Sequence, residues 1–221
     1  YLCHHCALHR AGTALGGTVA SIYDFKARFQ ALLRPLVRAL ARARVSANQV
    51  TIVAVLLSGA TGAWIAWSEG SRAALFAVPI VLFVRMALNA VDGMLAREHG
   101  QKSRLGAVLN ELGDVIADAM LYLPFALLVG VPVSLVVVVV MLAVISEMTG
   151  VVAIQVGASR RYDGPMGKSD RAFVFGVLAL ALALGAPRSD WIALLMGAVA
   201  VLLLVTIWNR ARRALAEGAA A

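Results

Sequence analysis

Charge is scarce in this chain. Only 14% of its 221 residues are Asp, Glu, Lys or Arg, and 61% are hydrophobic, whereas soluble globular chains carry about a quarter charged residues. With a mean hydropathy of +0.84, that shortage excludes an ordinary soluble domain and makes a bilayer the solvent. Cysteine is nearly absent. Cys3 and Cys6 are the only two, so there is no disulfide framework to read. They lie in Cys3-His4-His5-Cys6, with His9 following. A zinc knuckle there would need a second ligand pair that the sequence does not supply, so a flexible or appended tail over residues 1–21 is the plainer reading. Residues 1–20 show no basic segment followed by an apolar core of signal-peptide type. The alternation of a membrane β-barrel is missing as well. What the chain has instead is long, unbroken apolar stretches. At about 20 residues per span, its length allows six spans and no sizeable soluble domain.

Acidic charge is the scarcer sign, with 12 Asp and Glu against 20 Lys and Arg, a net charge of +8. In a soluble protein that excess would suggest nucleic acid. In a polytopic one it reflects basic loops facing anionic lipid, so membrane lipids are the expected partner and nucleic acid is not. Residues 22–45 read as a basic amphipathic helix. Phe29, Leu32, Leu33, Leu36, Val37 and Leu40 recur at helical spacing, with Arg34, Arg38 and Arg42 opposite. Such a helix lies in the membrane interface or packs on a loop as a soluble helix, and Pro35 predicts a kink or break in it. Ser46-Ala47-Asn48 is a helix-start signal.

The fold class this implies is all-α. Six transmembrane helices, at 49–67, 73–95, 105–129, 132–156, 171–187 and 190–208, form a domain over 46–213, and a short tail follows at 214–221. All Lys and Arg except Arg72, Arg85 and Arg188 fall in the N-terminal segment, in 96–104, in 157–171 or after Trp208. That distribution puts both termini in the cytoplasm, with Trp64, Trp67 and Trp191 as anchors at the outer ends.

Charges inside spans are costly and mark function by default. Here they are patterned. Asn89, Asp92, Gly93 and Ala96 fall within about 100° of arc at the end of the second span, with Arg85 one turn deeper on the same face. On the third span Gly106, Asn110, Asp114 and Asp118 step by four residues, drifting only about 40° each time. Both groups belong to the cytoplasmic ends of neighbouring antiparallel helices joined by a short loop, so they should meet at one depth. Oxygen ligands beside small residues suit a hard divalent cation carrying phosphates. A polar network that merely pins two helices, or a solvated rim, is the bland alternative.

The run Asn89-Ala-Val-Asp92-Gly93-Met-Leu-Ala96-Arg97, eight residues, Gly106, three residues, Asn110, three residues, Asp114 resembles the signature of the CDP-alcohol phosphotransferase family, D-x2-D-G-x2-A-R-x8-G-x3-D-x3-D. All spacings match, as do both glycines, the alanine and the arginine. The resemblance takes in Asn48-x-x-Thr51 at the start of the first span as well. It implies a metal site of Mg2+ (or Mn2+) ions held at Asn89, Asp92, Asn110 and Asp114. It further implies nucleotide contacts from Asn48, Thr51, Asp92, Gly93, Ala96, Arg97 and Gly106, Asp114 as general base, a homodimer, and a bacterial inner membrane location. The first and third aspartates of the pattern are Asn89 and Asn110 here. Asparagine still offers a carbonyl oxygen, but Asp92 and Asp114 supply two negative charges where the pattern has four, so one ion or two is left open. Asp118 would restore part of the deficit.

The implied reaction moves the phosphatidyl group of CDP-diacylglycerol to an alcohol and releases CMP. The basic, Gly/Pro-shaped loop at 159–171 suits an anionic acceptor, with Arg160, Arg161 and Lys168 as its binding residues; a plain positive-inside loop is the other reading. Glu147, within the fourth span, either pairs with Arg85 or faces an aqueous cleft alone. Two further classes compete: a catalytically impaired scaffold, suggested by the two asparagines, and an ion-coupled transporter. Against the transporter, the polar set lies toward one membrane face and no span pair is broken.

Overall fold

The computed structural model describes residues 22–219, and within them every regular element is helical. The Cys3/Cys6 stretch lies outside the described residues. The elements are α1 (Ile22–Arg42), α2 (Ala47–Trp67), α3 (Arg72–Glu98), α4 (Arg104–Tyr122), α5 (Val133–Val152), α6 (Lys168–Ala183) and α7 (Asp190–Gly218). Short 3-10 turns at Leu123–Leu127 and Ala153–Val156 extend α4 and α5.

The helix starts follow local chemistry. Ser46 caps α2 in a capping box. Its hydroxyl accepts the Gln49 N–H at 3.2 Å, and its own N–H donates to Gln49 Oε1 at 2.8 Å. Ser71 and Ser103 cap α3 and α4 by accepting the N–H of Ala74 and Gly106. Helix α1 runs through Pro35 without the expected break. It lies along α3 and buries Val37 in a small cluster with Val50, Val91, Met94 and Leu95.

Four helical segments are long and apolar enough to cross a membrane: α2, α3, Val133–Val156 and α7. The expected six is therefore four by composition, and the two exceptions have separate causes. Helix α4 carries Arg104, Glu111, Asp114 and Asp118. Helix α6 has 16 residues, about 24 Å at 1.5 Å per residue, short of a hydrocarbon core of about 30 Å. Both are held within the bundle, α4 against α2 and α6 against α3, while α5 pairs with α7. Helix α7 continues to Gly218, through most of the stretch expected to be a tail.

The main core fills the space between α3, α5, α6 and α7, with Val78, Val139, Leu178, Met196 and Leu203 at its centre. Successive turns of α4 meet successive turns of α6. Asp114 faces Lys168, Asp118 faces Arg171, and Tyr122 stacks on Phe175 with ring centroids 4.0 Å apart and planes within 9°. The crossing of α2 and α4 is closer still. A Cβ on Gly62 would lie 2.0 Å from the Met120 carbonyl oxygen, a backbone atom that cannot step aside. Gly62→Ala should therefore destabilise the protein by at least about 1–3 kcal/mol, seen as a lower melting temperature in detergent. Gly197→Ala, where an added Cβ meets nothing within 4 Å, should cause no loss.

Candidate functional site

The end of α3, the following loop and the starts of α2 and α4 enclose a cleft of about 440 Å³. Its walls carry Asn48, Thr51, Asn89, Asp92, Gly93, Ala96, Arg97, Gly106 and Asn110. Every residue expected to bind nucleotide is thus in one cavity, with three of the four residues expected to hold metal. Asp92 is 6% exposed, and one of its oxygens accepts the Thr51 hydroxyl at 2.8 Å. This fixes the carboxylate across the α2–α3 contact.

The loop is fastened as well. Gln101 accepts the Ala47 N–H at 2.7 Å and donates to the Val45 carbonyl at 3.3 Å. It thereby satisfies one of the free N–H groups at the start of α2 and closes the far side of the cleft. Gly106 sits where a Cβ would be 2.8 Å from Asn48 Oδ1, so a larger residue there would push the Asn48 side chain from its place in the cleft wall. Gln101 carries no sequence signal. It lies outside the periodic helix faces, and its two partners lie over 50 residues away.

Asp114 stands at the junction of the cleft with α6. Its Oδ1 accepts the Asn89 amide at 3.4 Å and forms an ion pair with Lys168. Asn89, Asp92 and Asn110 in the cleft wall, with Asp114 beside Asn89, are hard oxygen donors of the kind that suits a divalent cation. Among the described residues, no three His, Cys, Asp or Glu converge on one metal position. Gly93 lies beneath the Arg97 guanidinium, 3.0 Å from where its Cβ would be.

A second cavity of about 570 Å³ opens between α3 and α6. It is lined mainly by Leu82, Phe83, Met86, Phe173, Val177 and Leu180, and at its polar end by Arg85, Asn89, Asp118 and Lys168. Asn89 belongs to both cavities.

Behind the cleft runs a buried ionic network. Arg85 donates to Asp118 Oδ1 at 2.9 Å, and Arg171 bridges Asp118 Oδ2 at 3.1 Å and Glu147 Oε1 at 3.0 Å. Arg210 lies 3.3 Å from Glu147 and donates to the Ser146 carbonyl at 2.6 Å. Arg160 joins Glu147 at 3.2 Å and grips both oxygens of Glu111, at 2.7 and 2.6 Å.

Two expectations are corrected by this arrangement. Glu147 neither pairs with Arg85 nor stands alone, because three arginines surround it. Asp118, expected to make up part of the charge deficit, is paired instead with Arg85 and Arg171. Sequence reasoning also missed Glu111, and it counted Arg171 and Arg210 as loop and tail cations although each is 1% exposed. The partners of Glu111 and Arg171 lie at least 24 positions away in the chain, so no local pattern marks them.

The loop after α5 is tied to the end of α7. Ser159 donates to Glu217, Arg161 pairs with Glu217 and with Asp163 (2.7 Å), and Arg213 pairs with Asp163. Burial pushes the Asp163 carboxyl up, but the hydrogen bonds from Arg161 and Arg213 outweigh it and hold it below its ordinary value. Its contribution to stability is present above the unfolded carboxylate value and fades as pH falls through the lowered one. Arg160, Arg161 and Lys168, the cations expected to receive an acceptor, are thus all engaged by carboxylates.

Comparison with known proteins gives consistent matches. A family model described as CDP-alcohol phosphatidyltransferase matches residues 44–209. The chain is 45% identical over 196 residues to the inner membrane protein YnbA of Escherichia coli K12, covering 88% of this chain and 96% of that protein. It is 33% identical over 97 residues to the phosphatidylinositol phosphate synthase of Mycobacterium marinum, covering 44% of this chain and 40% of that one. In fold it resembles crystal structures of Mycobacterium tuberculosis phosphatidylinositol phosphate synthase. One, with CDP-DAG bound, has a TM-score of 0.69 at 22% identity and covers 81% of this chain and 92% of that one. Another, with manganese and citrate, has the same score and identity and covers 81% and 87%.

The network makes a stability prediction. Asp118→Ala leaves Arg85 and Arg171 buried without their shared carboxylate and should cost about 3–5 kcal/mol. Glu98→Ala, which removes only the half-exposed partner of Arg34 at 3.6 Å, should cost at most about 1 kcal/mol. Thermal unfolding of the two variants side by side checks the contrast.

Proposed function

The chain belongs to the CDP-alcohol phosphatidyltransferase family, and we propose that it transfers the phosphatidyl group of CDP-diacylglycerol to an alcohol and releases CMP. The observation that carries this reading is the meeting of two unlike cavities at Asn89: a polar cleft bearing the signature residues, and an apolar groove between α3 and α6. A lipid-linked nucleotide has two such ends. Four apolar helices and the likeness to a protein named for the inner membrane support an integral inner-membrane location. The basic loops support a cleft facing the cytoplasm. On this reading α4 and α6 complete six spans, and α1 lies in the interface.

In the mechanism, Asn48, Thr51, Gly93, Ala96, Arg97 and Gly106 seat the nucleotide, with the small residues allowing backbone approach and Arg97 meeting phosphate. Asn89, Asp92, Asn110 and Asp114 would hold Mg2+ or Mn2+, which supplies charge neutralisation to the diphosphate and the departing CMP. Thr51 keeps the Asp92 carboxylate aimed into the cleft. Asp114 takes the alcohol proton as the alcohol oxygen bonds to the phosphorus bearing diacylglycerol, and the bond from that phosphorus to the CMP oxygen breaks. Asn89, donating to Asp114, orients that base.

The acceptor is proposed to be anionic, such as a phosphorylated polyol. Four guanidiniums (Arg85, Arg160, Arg171, Arg210) face three carboxylates (Glu111, Asp118, Glu147) behind the cleft. That leaves one positive charge over, and Arg160 is the most accessible of the four guanidiniums.

Purified protein in vesicles with labelled CDP-diacylglycerol and a panel of alcohols should release CMP. Asp114→Asn should reduce the rate by about 10²–10⁴-fold with the fold intact, and unchanged turnover would remove the assignment. Replacing Arg160 and Arg161 with Gln should raise the acceptor KM and spare that of the donor, whereas an effect on the donor alone would relocate the two arginines.

A further inference from the structure

Lys168 sits oddly for a helix-starting residue. It is the first residue of α6, where the helix macrodipole disfavours a cation. Asp170, two residues on, supplies the acid that such a position favours, accepting the Gly167 N–H at 2.9 Å. Something else holds the lysine there. Its ammonium pairs with Asp114, and the position is fixed by register: the next turns of α6 place Arg171 on Asp118 and Phe175 on Tyr122. Both Lys168 and Asn89 act on Asp114 Oδ1, and Lys168 also lines the groove that shares Asn89 with the cleft.

The charge of the cleft is small. Asp92 and Asp114 are the anions among the four residues proposed to hold metal, since Asn89 and Asn110 are neutral, and the cleft wall itself adds the cations Arg97 and Lys102. Asp118 and Glu111, the nearest other acids on α4, are committed to arginines. Two divalent ions side by side would bring four positive charges to two carboxylates, one of which already carries an ammonium. Their mutual repulsion is four times that of two monovalent ions at the same distance. One divalent ion with one ammonium comes much nearer to balance.

We propose that Lys168 is a built-in cation beside the cleft, supplying through Asp114 the positive charge that a second metal ion would bring, so that the site takes one divalent ion per chain. This rests on the transferase reading above.

Titration of the purified protein with Mn2+, following free and bound ion by electron paramagnetic resonance without substrate, tests it. The wild type should bind one Mn2+ per chain. Lys168→Met should bind Mn2+ roughly tenfold more tightly, since a like charge is removed from beside the site, while Lys168→Arg should keep the wild-type affinity. Lys168→Met combined with Asn89→Asp and Asn110→Asp should take up a second ion. Two ions in the wild type overturn the proposal whether or not any variant folds, and so does an unchanged affinity in folded Lys168→Met. Absence of Mn2+ binding together with absence of CMP release would sink the transferase reading itself. CMP release by a protein binding two ions would leave that reading standing and remove only the role of Lys168.

Discussion

Everything in this bundle is organised around a guanidinium that water cannot reach. Arg171, 1% exposed, bridges Asp118 of α4 and Glu147 of α5 from its place on α6. Arg85 brings in α3 and Arg210 brings in α7 through the same two carboxylates. Five helices therefore close on two acidic side chains. In a low-dielectric interior each charge is tolerable only with its partners in place, so the network demands one relative height for those helices.

That demand is what places the site. Asp114 lies one turn from Asp118 on α4, and Lys168 lies one turn from Arg171 on α6. Locking the buried pair sets the depth of the pair above it. The α2–α4 crossing at Gly62 and the Asn48–Gly106 approach do the same from the other side, holding α4 against α2 so that Asn110 and Asn48 share a wall with Asp92. Part of the frame, the buried arginine network and the Gly62 crossing, therefore lies outside the cleft wall that it positions.

Much of this was legible in the sequence. The face Asn89–Asp92–Gly93–Ala96 and the four-residue steps from Gly106 to Asp114 were readable because helical periodicity alone decides which side chains are neighbours along one helix. Ser46 announced the start of α2 because capping is a local interaction between residues three apart. Legibility ended where partners are distant in the chain. Arg85 and Asp118 are separated by 33 positions and Arg160 and Glu111 by 49, so no pattern within a window pairs them, and neither alternative read for Glu147 includes the three arginines that hold it. Apolar length and composition by themselves mark four of the six expected spans. Helix α4 owes its place among α2 and its other neighbours to charge pairing and a glycine contact, and α6 is too short to qualify by composition.

Asn89 is the one side chain common to the cleft and the groove. A boundary that thin has a consequence for traffic. In the proposed reaction the bond that breaks lies at this partition, so its two fragments are already sorted when they separate. The water-soluble nucleotide would be on the side of the cleft lined by Arg97 and Lys102, and the new lipid on the side of the groove between α3 and α6. Neither fragment has to pass the other to depart, and turnover on this scaffold would need no lid that opens and shuts.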